Sequence, residues 1–168
     1  MHKLLIKRKL SVAVAESCTG GLLSKLLTDF AGSSSYFLMG VVAYHNEAKG
    51  TALHIPSSLI TKRGAVSKEV ALAMATRVQK IAGADLGVGI TGIAGPSGAA
   101  TGKPVGTVFI AVAAKKRTSY GRFHFTGTRR TIRIRAARAA LKLLDSSLRM
   151  TKYRSLRTKN YRCAHLSP

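Results

Sequence analysis

The chain has 168 residues, of which 46% are hydrophobic, and its 28 lysines and arginines against 6 acidic residues give a net charge of +22. That length suits one domain with a substantial core, and the hydrophobic share excludes a disordered polyelectrolyte despite the charge. The longest apolar run, residues 105–114, is far shorter than the roughly 18–20 residues that cross a bilayer, so no membrane partner is expected.

The amino terminus combines a basic opening with small residues and so imitates a secretory signal. Its apolar stretch after Lys9 is too short for the hydrophobic region of such a signal, and Glu16 ends it. Residues 1–10 are therefore interpreted as a lead into a buried strand, and a cytoplasmic location is expected.

The first half of the chain alternates between β-branched apolar runs and stretches with helical spacing. Gly32 favours the end of one helix, and Ser67 and Gly83 are typical of the start and the end of another. The predicted elements of this half are a strand at 11–15, a helix at 22–30, a strand at 36–44, a short helix at 45–53 and a helix at 68–82.

The second half contains three further strand patterns and one long helix. The predicted strands are 85–91, 105–114 and 119–125, with a turn at 115–118, and Thr128 caps a helix that runs to about 148. Because strands alternate with helices, residues 1–148 are predicted to form one α/β domain, with three α/β/α layers and a mixed central sheet. Residues 149–168 lose the periodicity and contain no acid, so they are interpreted as a solvated, mobile tail.

Positive charge is concentrated in the second half. Residues 1–85 contain 11 lysines and arginines with 5 acids, whereas residues 86–168 contain 17 with a single acid, Asp145. Such a surface attracts polyanions, so non-specific nucleic-acid binding is one expectation. The alternative is a basic composition with no dedicated partner, because net charge indicates solubility and non-specific binding rather than a particular chemistry.

Two glycine-rich segments match nucleotide-binding motifs in spacing but not in context. The G-x-G-x-x-G spacing of residues 87–92 lies within a predicted strand, with no helix after it to receive a pyrophosphate. Residues 97–104 resemble a P-loop, but Ser97 replaces its first glycine and Pro104 replaces the hydroxyl that would hold magnesium. Neither segment is interpreted as a phosphate site.

Metal and redox spacings are absent from the sequence. Cys18 and Cys163 are far apart and form no metal or redox motif, which is typical of a reduced protein. Four histidines also lack the spacing of metal ligands: His2, His54, His124 and His165. Neither a metal nor a cofactor is expected.

The segment after the first strand has the strongest functional pattern. Residues 15–21, Ala-Glu-Ser-Cys-Thr-Gly-Gly, place Ser17 at the carboxyl end of a buried strand, where open α/β sheets bind ligands. The glycines permit close approach to the backbone, and free N–H groups of the next helix favour a phosphate or an oxyanion. The alternative is that Ser17 or Thr19 only caps that helix.

A serine nucleophile needs a base, and the sequence offers several. His45, Lys49, Lys25 and Tyr44 are candidates, and sequence alone does not bring any of them close to Ser17. Residues 44–49, Tyr-His-Asn-Glu-Ala-Lys, are the densest polar cluster of the first half. A lysine there could act as base if burial or nearby positive charge lowered its pKa, and otherwise the cluster is a solvated helix start.

Four ordered blocks resemble the CinA C-terminal-domain family, whose stand-alone members are nicotinamide-nucleotide amidases. The blocks are Ala-Glu-Ser-Cys-Thr-Gly-Gly at 15–21, Tyr-His-Asn-Glu-Ala-Lys at 44–49, Thr-Gly-Ile-Ala-Gly-Pro at 91–96 and Lys-Pro-Val-Gly-Thr-Val at 103–108. Gly-Ala-Val-Ser at 64–67 and the Gly-Thr-Arg-x-x-Ile-Arg run at 127–133 add weaker support. The resemblance covers roughly residues 10–148.

This resemblance implies a homo-oligomeric α/β/α amidase of NAD salvage. Its substrate would be a small nucleotide, nicotinamide mononucleotide, which it would hydrolyse to nicotinate mononucleotide and ammonia without a metal. By the same resemblance Ser17 is the nucleophile and Lys49 is the general base, assisted by Tyr44. The implied substrate-binding residues are Thr19, Gly20, Gly21, Thr91, Gly92, Gly95 and Arg133.

The sequence departs from the family pattern outside these blocks. Only about ten residues precede the first strand, where the family usually has a full helix, and Ser97 and Thr128 stand where acids are usual. The runner-up hypothesis is therefore a catalytically weak member that binds anionic ligands or nucleic acid through its basic second half. Loss of ammonia release on substitution of Ser17 or Lys49 would favour the enzyme.

Overall fold

The structure is a computed structural model that describes residues 1–115 and 117–150. The last helix continues through Met150, two residues beyond the predicted end. The rest of the predicted tail, residues 151–168, lies outside the part of the chain that is described.

Five strands and six α-helices are formed by the described residues 1–115 and 117–150. The strands are β1 Val12–Glu16, β2 Phe37–Val42, β3 Leu86–Gly92, β4 Thr107–Ala114 and β5 Arg117–His124. The helices are α1 His2–Arg8, α2 Leu22–Thr28, α3 Asn46–Leu53, α4 Ser57–Arg63, α5 Lys68–Ala82 and α6 Arg129–Met150, with a 3-10 turn at Ser33–Ser35. None of these helices is both long and apolar enough to cross a membrane.

The strands form one mixed sheet in the order β2-β1-β3-β4-β5. Strand β1 runs parallel to β2 and β3, whereas β4 is antiparallel to both β3 and β5. The carboxyl ends of β1, β2 and β3 therefore meet at one edge of the sheet, which is where parallel sheets bind ligands. The predicted single α/β domain with three layers and a mixed central sheet is confirmed.

The two faces of the sheet differ in the size of their side chains. One face packs against α1, α2 and α6 through large residues: Val12, Val14, Leu86, Val88, Ile90, Val108, Ile110 and Val112. On the other face, towards α3, α4 and α5, the three central strands present mostly small residues: Ala13, Ala15, Gly87, Gly89, Ala111 and Ala113. A Cβ added at Gly87 or Gly89 would overlap backbone oxygens of α5. The G-x-G spacing of β3 is thus a packing feature, in agreement with its rejection as a nucleotide fingerprint.

The structure corrects three predictions of secondary structure. The predicted lead into β1 contains helix α1, His2–Arg8, which packs on the domain because Leu5 is fully buried and the Met1 amine pairs with Asp145 at 3.3 Å. Helix α4 was not predicted. Arg117 and Thr118 belong to β5 rather than to a turn, since they pair with the end of β4.

Candidate active site

A cleft of about 260 Å³ opens where β1 and β3 end and α3 begins. Five segments line it: the β1–α2 turn, the start of α3, residues 65–66 before α5, the end of β3 with the loop that follows, and the first residue of α6. Its lining residues with functional side chains are Ser17, Cys18, Tyr44, Asn46, Lys49, Thr91, Ser97 and Arg129. No carboxylate is among the described lining residues.

Ser17 sits in a turn that the backbone holds on both sides. Its N–H donates to the Ile90 carbonyl at 3.0 Å, and its own carbonyl accepts from the Gly20 N–H at 3.0 Å. The first bond extends the β1–β3 pairing by one residue, so the nucleophile candidate is fixed to the sheet. Ser17 is only 8% exposed, on the wall of the cleft.

Glu16, immediately before Ser17, caps helix α2. Its carboxylate is fully buried and accepts from the N–H groups of Gly21, Leu23 and Ser24 at 2.8–3.0 Å, and from the Ser24 hydroxyl at 2.7 Å. The N-cap position of α2 is occupied by Gly21, which has no side-chain hydroxyl, so neither Ser17 nor Thr19 is the N-cap residue. The capping alternative for Ser17 is therefore wrong.

The expected anion site at the start of α2 is also wrong. Its first N–H groups donate to Glu16 or, in the case of Leu22, face the Thr19 carbonyl at 3.4 Å, so they are not free to hold a phosphate. The space beside Gly20 is occupied by a protein side chain, because an added Cβ would lie 2.9 Å from the Arg133 guanidinium. That guanidinium donates to the Thr19 carbonyl at 2.8 Å and so supports the turn from α6.

Lys49 is almost completely buried, with 1% of its surface exposed. Its ammonium nitrogen lies 3.3 Å from the Tyr44 carbonyl and 3.4 Å from the His45 carbonyl, within the first turn of α3. Burial lowers the pKa of this lysine, because the charged form loses hydration and no carboxylate of the described lining compensates it. A lysine with a lowered pKa is neutral over a wider pH range than an exposed lysine.

The other candidates for the base are separated from Ser17 or inert. His45 is exposed and does not line the cleft, and Lys25 pairs with Asp29 at 2.8 Å on the surface of α2. Cys18 lines the cleft, but burial raises the pKa of its thiol to about 12, so it remains a neutral thiol. Lys49 and Tyr44 are left as the candidates within the cleft.

Arg129 joins three parts of the site. One guanidinium nitrogen donates to the Gly95 carbonyl at 2.7 Å, and the other donates to the Tyr44 hydroxyl. Sequence reasoning did not select Arg129 as a site residue, although it lies in the Gly-Thr-Arg run that supported the resemblance. Its position directly after the Thr128 cap was the available signal, because the first residue of a helix faces the end of the preceding strand layer.

Thr91 and the loop after β3 form the far wall. The Thr91 hydroxyl donates to the Ala65 carbonyl at 2.8 Å and so fixes the segment before α5 against β3. Gly92 and Gly95 line the cleft, and Gly95 has a positive φ of 78° that a side chain would strain. Among the described residues there is no cluster of three potential metal ligands.

Six of the ten predicted site residues therefore line one cleft: Ser17, Tyr44, Lys49, Thr91, Gly92 and Gly95. The other four, Thr19, Gly20, Gly21 and Arg133, form the support beneath the Ser17 turn rather than the cleft wall. The Thr19 hydroxyl and the Arg133 Nε are buried there without a partner in the described part of the chain.

Comparisons with known proteins agree with this architecture. The family model of the CinA C-terminal domain matches residues 1–148, and the chain belongs to that family. A CinA-like protein of Geobacter sulfurreducens is 49% identical over 146 residues, and a putative competence-damage inducible protein of Desulforudis audaxviator is 43% identical over 145. Each alignment covers about 87% of this chain and 35% of the relative, so the chain spans about a third of their length.

Solved structures show the same fold. The competence damage-inducible protein A of Klebsiella pneumoniae superposes with a TM-score of 0.84 at 33% identity, covering 89% of this chain and 97% of that one. The competence/damage inducible protein of Agrobacterium tumefaciens gives a TM-score of 0.83 at 37% identity, covering 89% and 95%.

Proposed function

We propose that the protein is a nicotinamide-nucleotide amidase, which hydrolyses nicotinamide mononucleotide to nicotinate mononucleotide and ammonia. The observation that carries the proposal is a serine hydroxyl on the same cleft as a buried lysine of lowered pKa. The lining cation Arg129, without a carboxylate among the described lining residues, suits an anionic nucleotide. Family membership and the six clustered site residues support the same reaction.

In the first step neutral Lys49 accepts the proton of the Ser17 hydroxyl, whose oxygen attacks the carboxamide carbon. The negative charge then moves to the carboxamide oxygen. The N–H groups at the start of α2 are engaged by Glu16 and Thr19, whereas those of Cys18 and Thr19 have no acceptor among the described residues. We assign the oxyanion to the Cys18 N–H group, because Cys18 lines the cleft and Thr19 does not.

Collapse of the tetrahedral intermediate breaks the carbon–nitrogen bond. The Lys49 ammonium returns its proton to the departing nitrogen, which leaves as ammonia, and an ester remains on Ser17. Lys49 then takes a proton from a water molecule that attacks the ester, and nicotinate mononucleotide departs as Ser17 regains its proton. Arg129 fixes Tyr44 beside the Lys49 end of the cleft and presents positive charge to the nucleotide.

The test is ammonia release from nicotinamide mononucleotide by the full chain, with and without a chelator. We expect turnover in the wild type, a loss of at least about a thousandfold in Ser17→Ala, and no effect of the chelator. Ser58→Ala is the matched control, since Ser58 is an exposed serine on α4. Unchanged turnover in Ser17→Ala, or none in a folded wild type, would overturn the proposal.

A further inference from the structure

The helices on the large-residue face carry a continuous basic surface. Helices α1, α2 and α6 contain eleven lysines and arginines with a single acid, Asp145. Beyond the first turn of α6, its exposed cations lie at 135, 138, 142 and 149, and exposed lysines of α1 lie at 3 and 7. We call these six residues the basic face: Lys3, Lys7, Arg135, Arg138, Lys142 and Arg149.

The α6 part of the basic face is a straight row. At 3.6 residues per turn its four cations fall within about 60° of one another around the helix, and they extend over about 21 Å of its length. The α1 part is adjacent, because the Met1 amine pairs with Asp145 and the Arg8 guanidinium donates to the Leu148 carbonyl. The two helices therefore present one surface of the rigid domain.

This charge is not neutralised within the described part of the chain. Asp145 is the one acid of α6, and it is engaged by the Met1 amine and by Arg149 at 2.6 Å. No ion pair is formed by Lys3, Lys7, Arg138 or Lys142 among the described residues. Three of the four cations of the α6 row, Arg135, Arg138 and Lys142, thus have no ion pair among the described residues and can contact an external polyanion.

We propose that the basic face binds the phosphate backbone of double-stranded nucleic acid without sequence preference. The cations of the row are separated by about 4.5, 6 and 10.5 Å along the helix, and a duplex carries one phosphate per about 3.4 Å of axis on each strand, so the row spans several phosphates. A single strand is a poorer fit, because such sites stack bases on aromatic rings, whereas the α6 row has none and the exposed Phe30 ring beside α1 already stacks on His2. A membrane is also a poorer fit, because the apolar side of α6 is buried against the sheet and cannot insert.

The test is fluorescence anisotropy of a labelled 20-base-pair duplex with the full chain at 50 and 200 mM salt. Four phosphate contacts predict a slope of about −3.6 in log K against log salt, which is on the order of a hundredfold loss across that range. The variant Arg135→Gln/Arg138→Gln/Lys142→Gln should reduce the slope by about 2.7 and weaken binding at least tenfold at 50 mM. Ammonia release should not change, because none of these residues lines the cleft.

The matched control removes the same charge from the opposite side of the molecule. Lys62→Gln/Arg77→Gln/Lys80→Gln replaces exposed cations of α4 and α5. It lowers the net charge by the same three units as the α6 triple, but it should leave the duplex affinity within about twofold of the wild type. Both variants keep residues 151–168, whose five lysines and arginines contribute equally to each. Equal weakening by both triples, no effect of the α6 triple, or tighter binding to phosphatidylglycerol vesicles than to duplex at equal phosphate would overturn the proposal.

Discussion

The two faces of the central sheet are packed by opposite means. On the α5 face, glycines and alanines of β1, β3 and β4 let a helix backbone approach the strands directly. On the α6 face, valines, leucines and isoleucines fill the space between sheet and helices. The sequence encodes both at once, because side chains alternate between faces along a strand, as in Val-Ala-Val-Ala and Leu-Gly-Val-Gly-Ile.

The helical layers outside these faces also differ in charge. Helices α3, α4 and α5 contain six cations and two acids, and one of the six, Lys49, is buried in the cleft. The cations of α6 are mostly exposed and retain their hydration. Burial thus lowers the pKa of a lysine on one side, whereas the cations on the other side remain hydrated surface charges.

Replacement of Lys49 gives the largest expected effect. Lys49→Met keeps the length and apolar volume of the side chain but removes the base, so ammonia release should fall by at least about a thousandfold. The same change removes a poorly compensated buried ammonium, so the melting temperature should rise. Lys142→Met, on the exposed row of α6, is the control and should change neither quantity measurably. A melting temperature lowered by Lys49→Met would show that the buried charge is well compensated.

The pH dependence tests the same contrast without a substitution. Because burial lowers the pKa of Lys49, the neutral fraction grows with pH, and kcat/KM should rise about tenfold per pH unit until that pKa is passed. The free energy of unfolding should rise with pH between the folded-state pKa and the ordinary lysine value, because the unfolded state binds more protons in that window. A rate that falls with rising pH below this window would contradict Lys49 as base.

Enlarging and shrinking residues should have unequal costs on the two faces. Gly89→Ala places a Cβ against the α5 backbone, which cannot yield as a side chain can, so we expect a loss of about 3 kcal/mol in the free energy of unfolding. Val88 precedes Gly89 in the sequence and faces the other side of the sheet. Val88→Ala leaves only a small cavity and should lower the free energy of unfolding by about 1–2 kcal/mol. Urea denaturation measures both, and equal values would break the comparison.

Glu16 is a buried polar residue on the large-residue face. Its substitution should lower the free energy of unfolding somewhat less than Gly89→Ala does. Glu16→Gln keeps the shape but turns an NH₂ group towards backbone donors, so we expect a loss of about 2 kcal/mol by urea denaturation. Because the α2 cap holds the Ser17 turn, kcat should fall while KM changes little. Glu69→Gln, in the first turn of α5, is the control and should change stability by less than about 0.5 kcal/mol. Wild-type stability of Glu16→Gln would show that the carboxylate is not the cap.

Much of this fold could be predicted because local signals were strong. Ser67 accepts from the Val70 N–H, Gly83 ends α5 in a left-handed conformation, and Thr128 accepts from the Thr131 N–H, all at predicted helix ends. Helix α1 has no such signal, since its side-chain cap is absent and tertiary contacts of Leu5 and Met1 hold it. Seven residues of helix are too few to be stable without that packing.

Part of the candidate site could also be predicted because local sequence signals mark the ends of the strands. Ser17, Tyr44 and Thr91 lie at or just beyond the ends of three parallel strands, a position that sequence pattern reveals. Arg129 enters the cleft from a helix that is distant in sequence, and Glu16 turns away from it to cap α2, and neither direction can be deduced from spacing. Burial of Lys49, which sets its chemistry, also depends on the assembled fold.

The hydrogen bonds of the Glu16 carboxylate limit which groups are able to accept a proton from Ser17. A carboxylate has about four lone-pair positions, and each oxygen of Glu16 already accepts two hydrogen bonds from α2. The acid nearest to Ser17 in sequence thus has no acceptor capacity left for a hydroxyl proton, and protonating it would break the turn that aims Ser17. In place of the acid–histidine relay of many serine hydrolases, the described lining of this cleft offers the buried amine of Lys49.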